Sequence, residues 1–281
     1  MHPRLHLILS HFVIVGLMLA DRFFEAKKLI RHFVFASGPH GVHSPLVYEL
    51  ITQVLSRKNF NPDFDLIENE RKKLLSDNSV LSVLDFGAGS RISEDEQRKV
   101  SSIAASAMQS AHCAQALFKL VRHFLPSRSL ELGTSLGITA SYLAKANSNG
   151  HLWTLEGSPV IADRAQSVFD ELNIDNVTCR RGRFLDTLAG TLQEMKYVDF
   201  AFIDGHHLYD PTIHYVDTIL PFCSSNSIIV LDDIYWSREM MEAWDELRAR
   251  KEFSLSLDFF HFGILFLTKR PEKEHFVLRL P

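Results

Sequence analysis

Ser129-Leu-Glu-Leu-Gly-Thr-Ser-Leu-Gly-Ile-Thr139 starts as a short, largely apolar segment and then breaks at two glycines, Gly133 and Gly137. A strand that ends in glycines and passes into a helical pattern is the first turn of a β/α unit. Open α/β sheets hold their ligands at strand ends of this kind. Gly133 and Gly137 let the backbone approach a ligand closely, and the N–H groups of the following helix face it. The downstream chain repeats the unit. Strands are expected at 129–132, 151–155, 177–180, 198–203 and 227–231, with helices from 138 and at 160–172, 187–195, 212–220 and 239–250 between and after them. Two further strands, 254–260 and 262–268, follow with no helix between them. Consecutive β/α units predict a mostly parallel sheet with right-handed crossovers. The helix-free pair predicts an antiparallel closing strand, seven strands in all.

Two of these strand ends carry chemistry. Glu156 ends the second strand, about 20 residues after the glycine turn, where a carboxylate accepts hydrogen bonds from ribose hydroxyls. The glycine spacing is looser than GxGxxG, so the turn alone is a weak signal and Glu156 strengthens it. Phe202-Ile-Asp-Gly-His-His207 ends the fourth strand in Asp204, and Val230-Leu-Asp-Asp-Ile-Tyr-Trp236 ends the fifth in Asp232 and Asp233. Neighbouring strands lie about 4.8 Å apart, so these carboxylates can converge. Oxygen-only ligation suits Mg²⁺, Ca²⁺ or Mn²⁺. His206 and His207 follow closely, and an imidazole there can act as a base or a ligand. The bland alternative is that the acids cap helices and finish the sheet edge.

Composition bounds the rest. The chain has 281 residues, 46% hydrophobic, with a formal net charge of −4. That mild acidity, with no basic stripe, excludes nucleic acid as the expected partner. Cys113, Cys179 and Cys223 have neither CxxC nor zinc spacing and read as free thiols. Residues 1–20 contain an apolar run, 5–20, interrupted by His6, Ser10, His11 and Gly16. It is shorter than the roughly 20 apolar residues of a membrane span. Met1 to Leu17 are read as dispensable in a cytoplasmic protein, with a membrane anchor and a signal peptide as the alternative readings of the run. Residues 21–112 read as a mostly helical cap, with helices at 21–32, 46–55 and 67–75, a loop at 59–65 and a helix-rich stretch at 94–124. Residues 113–281 form the alternating domain. A second glycine loop, Val83-Leu-Asp-Phe-Gly-Ala-Gly-Ser90, lacks a downstream strand ending in an acid. It is assigned to the cap, beside the mouth of the site.

With these motifs placed, the chain resembles class I S-adenosylmethionine-dependent methyltransferases of the catechol O-methyltransferase-like group, over roughly residues 113–268. Leu130-Glu-Leu-Gly-Thr-Ser-Leu-Gly137 is similar to that group's cofactor loop and Thr154-Leu-Glu-Gly-Ser-Pro159 to its ribose-binding segment. Asp199–Gly205 and Ile228–Asp233 are similar to its metal-binding strands. The resemblance implies a Rossmann-like methyltransferase sheet behind the cap. It implies that Gly133, Ser135, Gly137 and Thr139 line the methionine and ribose portion of S-adenosylmethionine. Glu156 would hold the ribose hydroxyls, Gly182 and Phe184 would sit near the adenine, and Glu131 and Asp204 are further cofactor contacts. Asp204, Asp232 and Asp233 would bind a divalent metal, with magnesium expected. Two positions depart from the catechol type. His207 stands where a lysine is usual, as in macrolide sugar O-methyltransferases, where that histidine is the proposed base. Asp233 stands where asparagine is usual. His40-Gly-Val-His-Ser-Pro45 and Asp85–Arg91 are similar to a poorly characterised bacterial subgroup.

The expectation is therefore metal-assisted O-methylation of a small-molecule hydroxyl, with His207 as catalytic base. A homodimer is compatible with it. An NAD-dependent oxidoreductase and a non-catalytic nucleoside-binding protein are the alternatives.

Overall fold

A computed structural model describes residues 32, 34–38, 41–56, 60–83 and 96–281. The apolar run at 1–20, most of the helix expected at 21–32, and the glycines of the second loop lie outside these residues. Ahead of the sheet come helix α1 (Pro45–Glu49), which runs on as a π-helical turn over Leu50–Val54, and helix α2 (Pro62–Ser76). An antiparallel pair, β1 (Val80–Val83) and β2 (Glu96–Lys99), leads into α3 (Val100–Ala107) and α4 (Ala111–Phe124). The alternating part then reads β3 (Arg128–Leu132), α5 (Ile138–Ala146), β4 (His151–Glu156), α6 (Pro159–Glu171), β5 (Val177–Arg181) and α7 (Phe184–Met195). It continues with β6 (Val198–Ile203), α8 (Tyr209–Ile219), β7 (Cys223–Asp232), α9 (Arg238–Ala249), β8 (Leu255–Asp258), β9 (Phe262–Phe266) and β10 (Glu274–Val277).

The sheet has eight strands in the order β10-β8-β9-β7-β6-β3-β4-β5. All neighbouring pairs are parallel except those made by β9, which runs antiparallel to β7 and β8. The mostly parallel Rossmann-like sheet with its antiparallel strand is as expected. The count of seven is corrected to eight: β10 adds at the edge, parallel to β8. Two expectations ahead of the sheet are corrected as well. Residues 96–99 are strand rather than helix, because their backbone is satisfied by β1. The loop expected at 59–65 ends early, because Asn61 caps α2: its side-chain oxygen accepts the Asp63 N–H at 2.8 Å. Pro62 then stands at the first helical position, where a missing N–H costs nothing, and Asp63 and Asp65 favour the positive helix end.

Each strand feeds both faces of the sheet, because side chains alternate. Phe200 and Phe202 of β6 join a core with α1, α2, α4 and α5, where Phe64, Phe118 and Tyr142 meet edge to face. Ala201 and Ile203 join the opposite core with α7, α8 and α9. The helices ahead of the sheet thus share one continuous core with one sheet face. The outermost strands are charged: Arg180 and Arg181 of β5 pair with Glu194 and Asp163, and Glu274 of β10 pairs with Arg270.

The chain runs outward from β3 through β4 to β5, then returns to the other side of β3 for β6 and β7. The strand order therefore reverses between β3 and β6, and a crevice opens beyond their carboxyl ends.

Candidate active site

At that reversal the backbones of β3 and β6 nearly touch. A Cβ on Gly133 (φ +104°) would stand 1.9 Å from the Asp204 carbonyl oxygen. Only glycine fits there. Leu155 O accepts the N–H groups of Gly133 (3.0 Å) and Thr134 (3.2 Å), which ties the turn to the end of β4. Glu156, next in the chain, holds the turn from below. Its Oε2 accepts the Ser135 N–H and its Oε1 the Ser158 N–H, both at 2.9 Å. Burial pushes the Glu156 carboxyl up. The N–H groups of Ser158, Ser135 and Gly157 counteract this, and the charge of Asp204 adds to it, for a net rise.

These residues line a cavity of about 790 Å³. One wall holds Gly133, Ser135, Glu156, Arg183 and Phe184. The other holds Asp204, His206, His207, Asp232 and Asp233. Val83, Arg98, Met108 and Gln109 reach it from the segment ahead of the sheet. The expected cofactor and metal residues are thus brought to one cavity in part. Glu131, Gly137, Thr139 and Gly182 lie behind its lining. A Cβ on Gly137 would meet the Phe169 ring at 2.9 Å, so this glycine packs α5 against α6. Gly182 donates its N–H to Glu156 O at 2.9 Å. Thr139 is buried in the first turn of α5.

Glu131 is fully buried under the turn. Thr154 Oγ1 donates to its Oε2 at 2.5 Å, and its Oε1 has no hydrogen-bond partner among the described residues. Burial drives its carboxyl up to about 8, with the Thr154 hydrogen bond opposing and the charges of Asp204 and Glu156 assisting.

Backbone strain gathers at the cavity. Ser135 (φ 47°), His206 (φ 64°), His207 (φ 37°) and Asp233 (φ 50°) are all non-glycine residues in the left-handed region. Such conformations cost about 1–3 kcal/mol each and collect at working sites. His207 Nε2 lies 3.4 Å from Asp204 Oδ1. Burial lowers the His207 pKa. The hydrogen bond and charge of Asp204 and the charge of Asp233 more than offset this, for a net rise. His206 turns to a different partner: its Nδ1 lies 2.9 Å from the Tyr215 hydroxyl, and its ring packs edge-on against Phe184.

The three expected metal carboxylates share the cavity, but no group of three acidic, histidine or cysteine side chains is drawn to one point among the described residues. Their chemistry nevertheless suits a hard cation. Burial and the charges of Asp204 and Asp233 hold the Asp232 carboxyl well above the usual range. A bound cation would relieve that repulsion. Sequence reading missed Gln109, whose Nε2 donates to Asp232 Oδ1 at 2.5 Å. It also missed Tyr215, Arg183 and Trp236, which line the same cavity. The three cysteines are free, and burial pushes each thiol up to about 11. Among the described residues no helix is long and apolar enough to cross a membrane.

Comparison with known proteins agrees with this geometry. Residues 130–234 match a family model described as a methyltransferase domain. A search of curated proteins finds no match. Solved structures share the fold at low identity. A Bacillus cereus O-methyltransferase in complex with S-adenosylhomocysteine is 18% identical, with a TM-score of 0.52 over 78% of this chain and 96% of its own. An S-adenosylhomocysteine-bound Podospora anserina methyltransferase is 19% identical, with a TM-score of 0.52 over 76% and 99%. The Streptomyces achromogenes O-methyltransferase of tomaymycin synthesis, in complex with S-adenosylmethionine, is 23% identical, with a TM-score of 0.50 over 58% and 82%. Over residues 130–234 the chain therefore matches a methyltransferase-domain model, and it is built on the fold that these S-adenosylmethionine- and S-adenosylhomocysteine-bound proteins share.

Proposed function

We propose that this protein is an O-methyltransferase that passes the methyl group of S-adenosylmethionine to the hydroxyl of a small molecule, assisted by a divalent cation. The observation that carries the reading is the placement of His207, Asp204, Asp232 and Asp233 in one cavity with the glycine turn and Glu156. When bound, the cofactor supplies an electrophilic methyl group and the cation polarises an acceptor oxygen.

The chain's own residues do the rest. The turn at Gly133 gives the cofactor close access to backbone. Glu156, already fixed by two amides, offers its remaining lone pairs to ribose hydroxyls. His207 takes the acceptor proton at Nε2, and Asp204 stabilises the imidazolium that results. The strained backbone at His207 and Asp233 holds both side chains in place before substrate arrives, so alignment supplies part of the acceleration. Val83, Arg98 and Met108 close the cavity from the cap side and select the acceptor. The acceptor is a small molecule, magnesium is the metal expected, and the protein works in the cytoplasm.

The test is incubation with isotopically labelled S-adenosylmethionine and a metabolite extract, followed by mass spectrometry. A labelled O-methyl product that disappears on chelation supports the reading. A label on nitrogen, carbon or sulfur, or turnover indifferent to chelation, overturns it.

A further inference from the structure

We infer that Gln109 is a positioning residue: its side-chain amide sets the orientation of the Asp232 carboxylate toward a divalent cation. The inference rests on the metal-assisted reading above. Gln109 sits in the short connection between α3 and α4. Its amide is oriented from its far end, because its Oε1 accepts the Ser110 N–H at 2.9 Å. A carbonyl oxygen accepts and an NH₂ group donates, so the nitrogen must face Asp232. It does, at 2.5 Å from Oδ1.

The backbone at Gln109 is held as well. Its carbonyl oxygen accepts from Arg71 Nη1 at 2.7 Å. Arg71 Nε donates to Glu68 Oε1 at 2.9 Å, and the Tyr142 hydroxyl donates to the same oxygen at 2.8 Å. Arg71 is 9% exposed, Asp232 4% and Tyr142 fully buried. A chain of partners thus runs from Tyr142 on α5 through Glu68, Arg71 and Gln109 of the cap to one oxygen of Asp232. A carboxylate at a strand end would otherwise turn about its last torsion. The Gln109 donor fixes that torsion, and hydrogen-bonded partners that orient a ligating carboxylate govern how well it holds a metal. The cap therefore contributes to the cation site without supplying a ligand.

The experiment uses the full chain. Mn²⁺ binding is followed by the loss of the free-ion electron paramagnetic resonance signal, and S-adenosylhomocysteine binding by calorimetry. Gln109→Met keeps the length of the side chain and lacks the donor. It is expected to weaken Mn²⁺ binding about 10–100-fold, the usual loss when such an outer partner is removed. S-adenosylhomocysteine affinity is expected to stay at the wild-type value. Equal Mn²⁺ affinity in wild type and variant overturns the inference. So does a parallel loss of both ligands, which marks a merely structural role. Absence of Mn²⁺ binding in the wild type overturns the metal-assisted reading itself, and this inference with it. If Gln109→Met does not fold, Gln109→Asn gives the same comparison with an amide one methylene too short to span the gap.

Discussion

Gly133→Ala tests the architecture of the site at its tightest point. The added methyl group would stand 1.9 Å from the carbonyl oxygen of Asp204 and 3.0 Å from its carbonyl carbon. Neither atom can step aside alone, because the Asp204 N–H donates to Leu132 O at 2.8 Å and so belongs to the β3–β6 ladder. Two costs follow. A side chain at φ +104° is strained by about 1–3 kcal/mol. Relieving the clash breaks the last backbone bond of the ladder, worth about 1 kcal/mol net. The expected destabilisation is therefore about 2–4 kcal/mol. With an unfolding entropy of roughly 2.1 cal/mol/K per residue, a chain of this length loses about 3–7 °C in Tm.

The same shift moves Asp204 relative to the glycine turn, so S-adenosylhomocysteine affinity should fall with stability. Scanning calorimetry and isothermal titration read the two effects. Gly190→Ala is the control. Gly190 lies within α7, and a Cβ there meets nothing within 4 Å. That substitution should stabilise by about 0.5–1 kcal/mol. A Gly133→Ala protein with wild-type Tm and wild-type cofactor affinity would refute the reasoning.

Three further outcomes are expected. Glu156→Ala should weaken S-adenosylhomocysteine binding by roughly 1.5–3 kcal/mol, about 10–100-fold, because a charged acceptor is lost and the amides of Ser135 and Ser158 lose their partner; titration calorimetry with undiminished affinity would count against it. His207→Ala should keep cofactor binding and lose about 10²–10⁴-fold in turnover, whereas His206→Ala, whose ring faces Tyr215, should keep most of it; a reversed pair of rates in a methyl-transfer assay would move the base to His206. Glu131 gives the ligand-free protein a pH dependence. Its folded carboxyl titrates near 8, above its unfolded value, so between the ordinary carboxylate range and pH 8 the folded state keeps a proton that the unfolded state has released. Its contribution to stability is complete at low pH and is lost as pH rises through that window. Glu131→Gln should flatten Tm against pH from about 5 to 8, and an unchanged profile would show that the carboxyl is already ionised.

The parts of the site that could be read from the chain are those written locally. Gly133 follows an apolar strand and precedes a helix, and Glu156, Asp204 and Asp232 each end a strand, so position along the chain already places them at one sheet edge. Gln109 has no such signature. It meets Asp232 across 123 residues of sequence, and its neighbours Ser106, Ala107, Met108 and Ser110 form no recognisable motif. Residues 96–99, Glu-Gln-Arg-Lys, carry no apolar alternation, so only their pairing with β1 makes them a strand. β10 was hidden for a related reason: four residues at a sheet edge, with no crossover helix before them, leave little periodicity to count. The start of α2 is different, since Asn61-Pro62-Asp63 is a local capping signal present in the sequence.

The charged outer strands bear on how copies of this protein meet. An uncovered strand is a template on which another chain can add, and natural sheets blunt it with charge. Here the guanidinium groups of Arg180 and Arg181 guard one border; at the other, beside the Arg270–Glu274 pair, Ser37 already donates its N–H to Val277 O at 2.8 Å. A second molecule continuing the sheet would have to desolvate those groups for a few main-chain bonds. Sheet extension at the β5 border is therefore disfavoured by the charge it would bury. The same guard works against fibrillar growth while the sheet is intact.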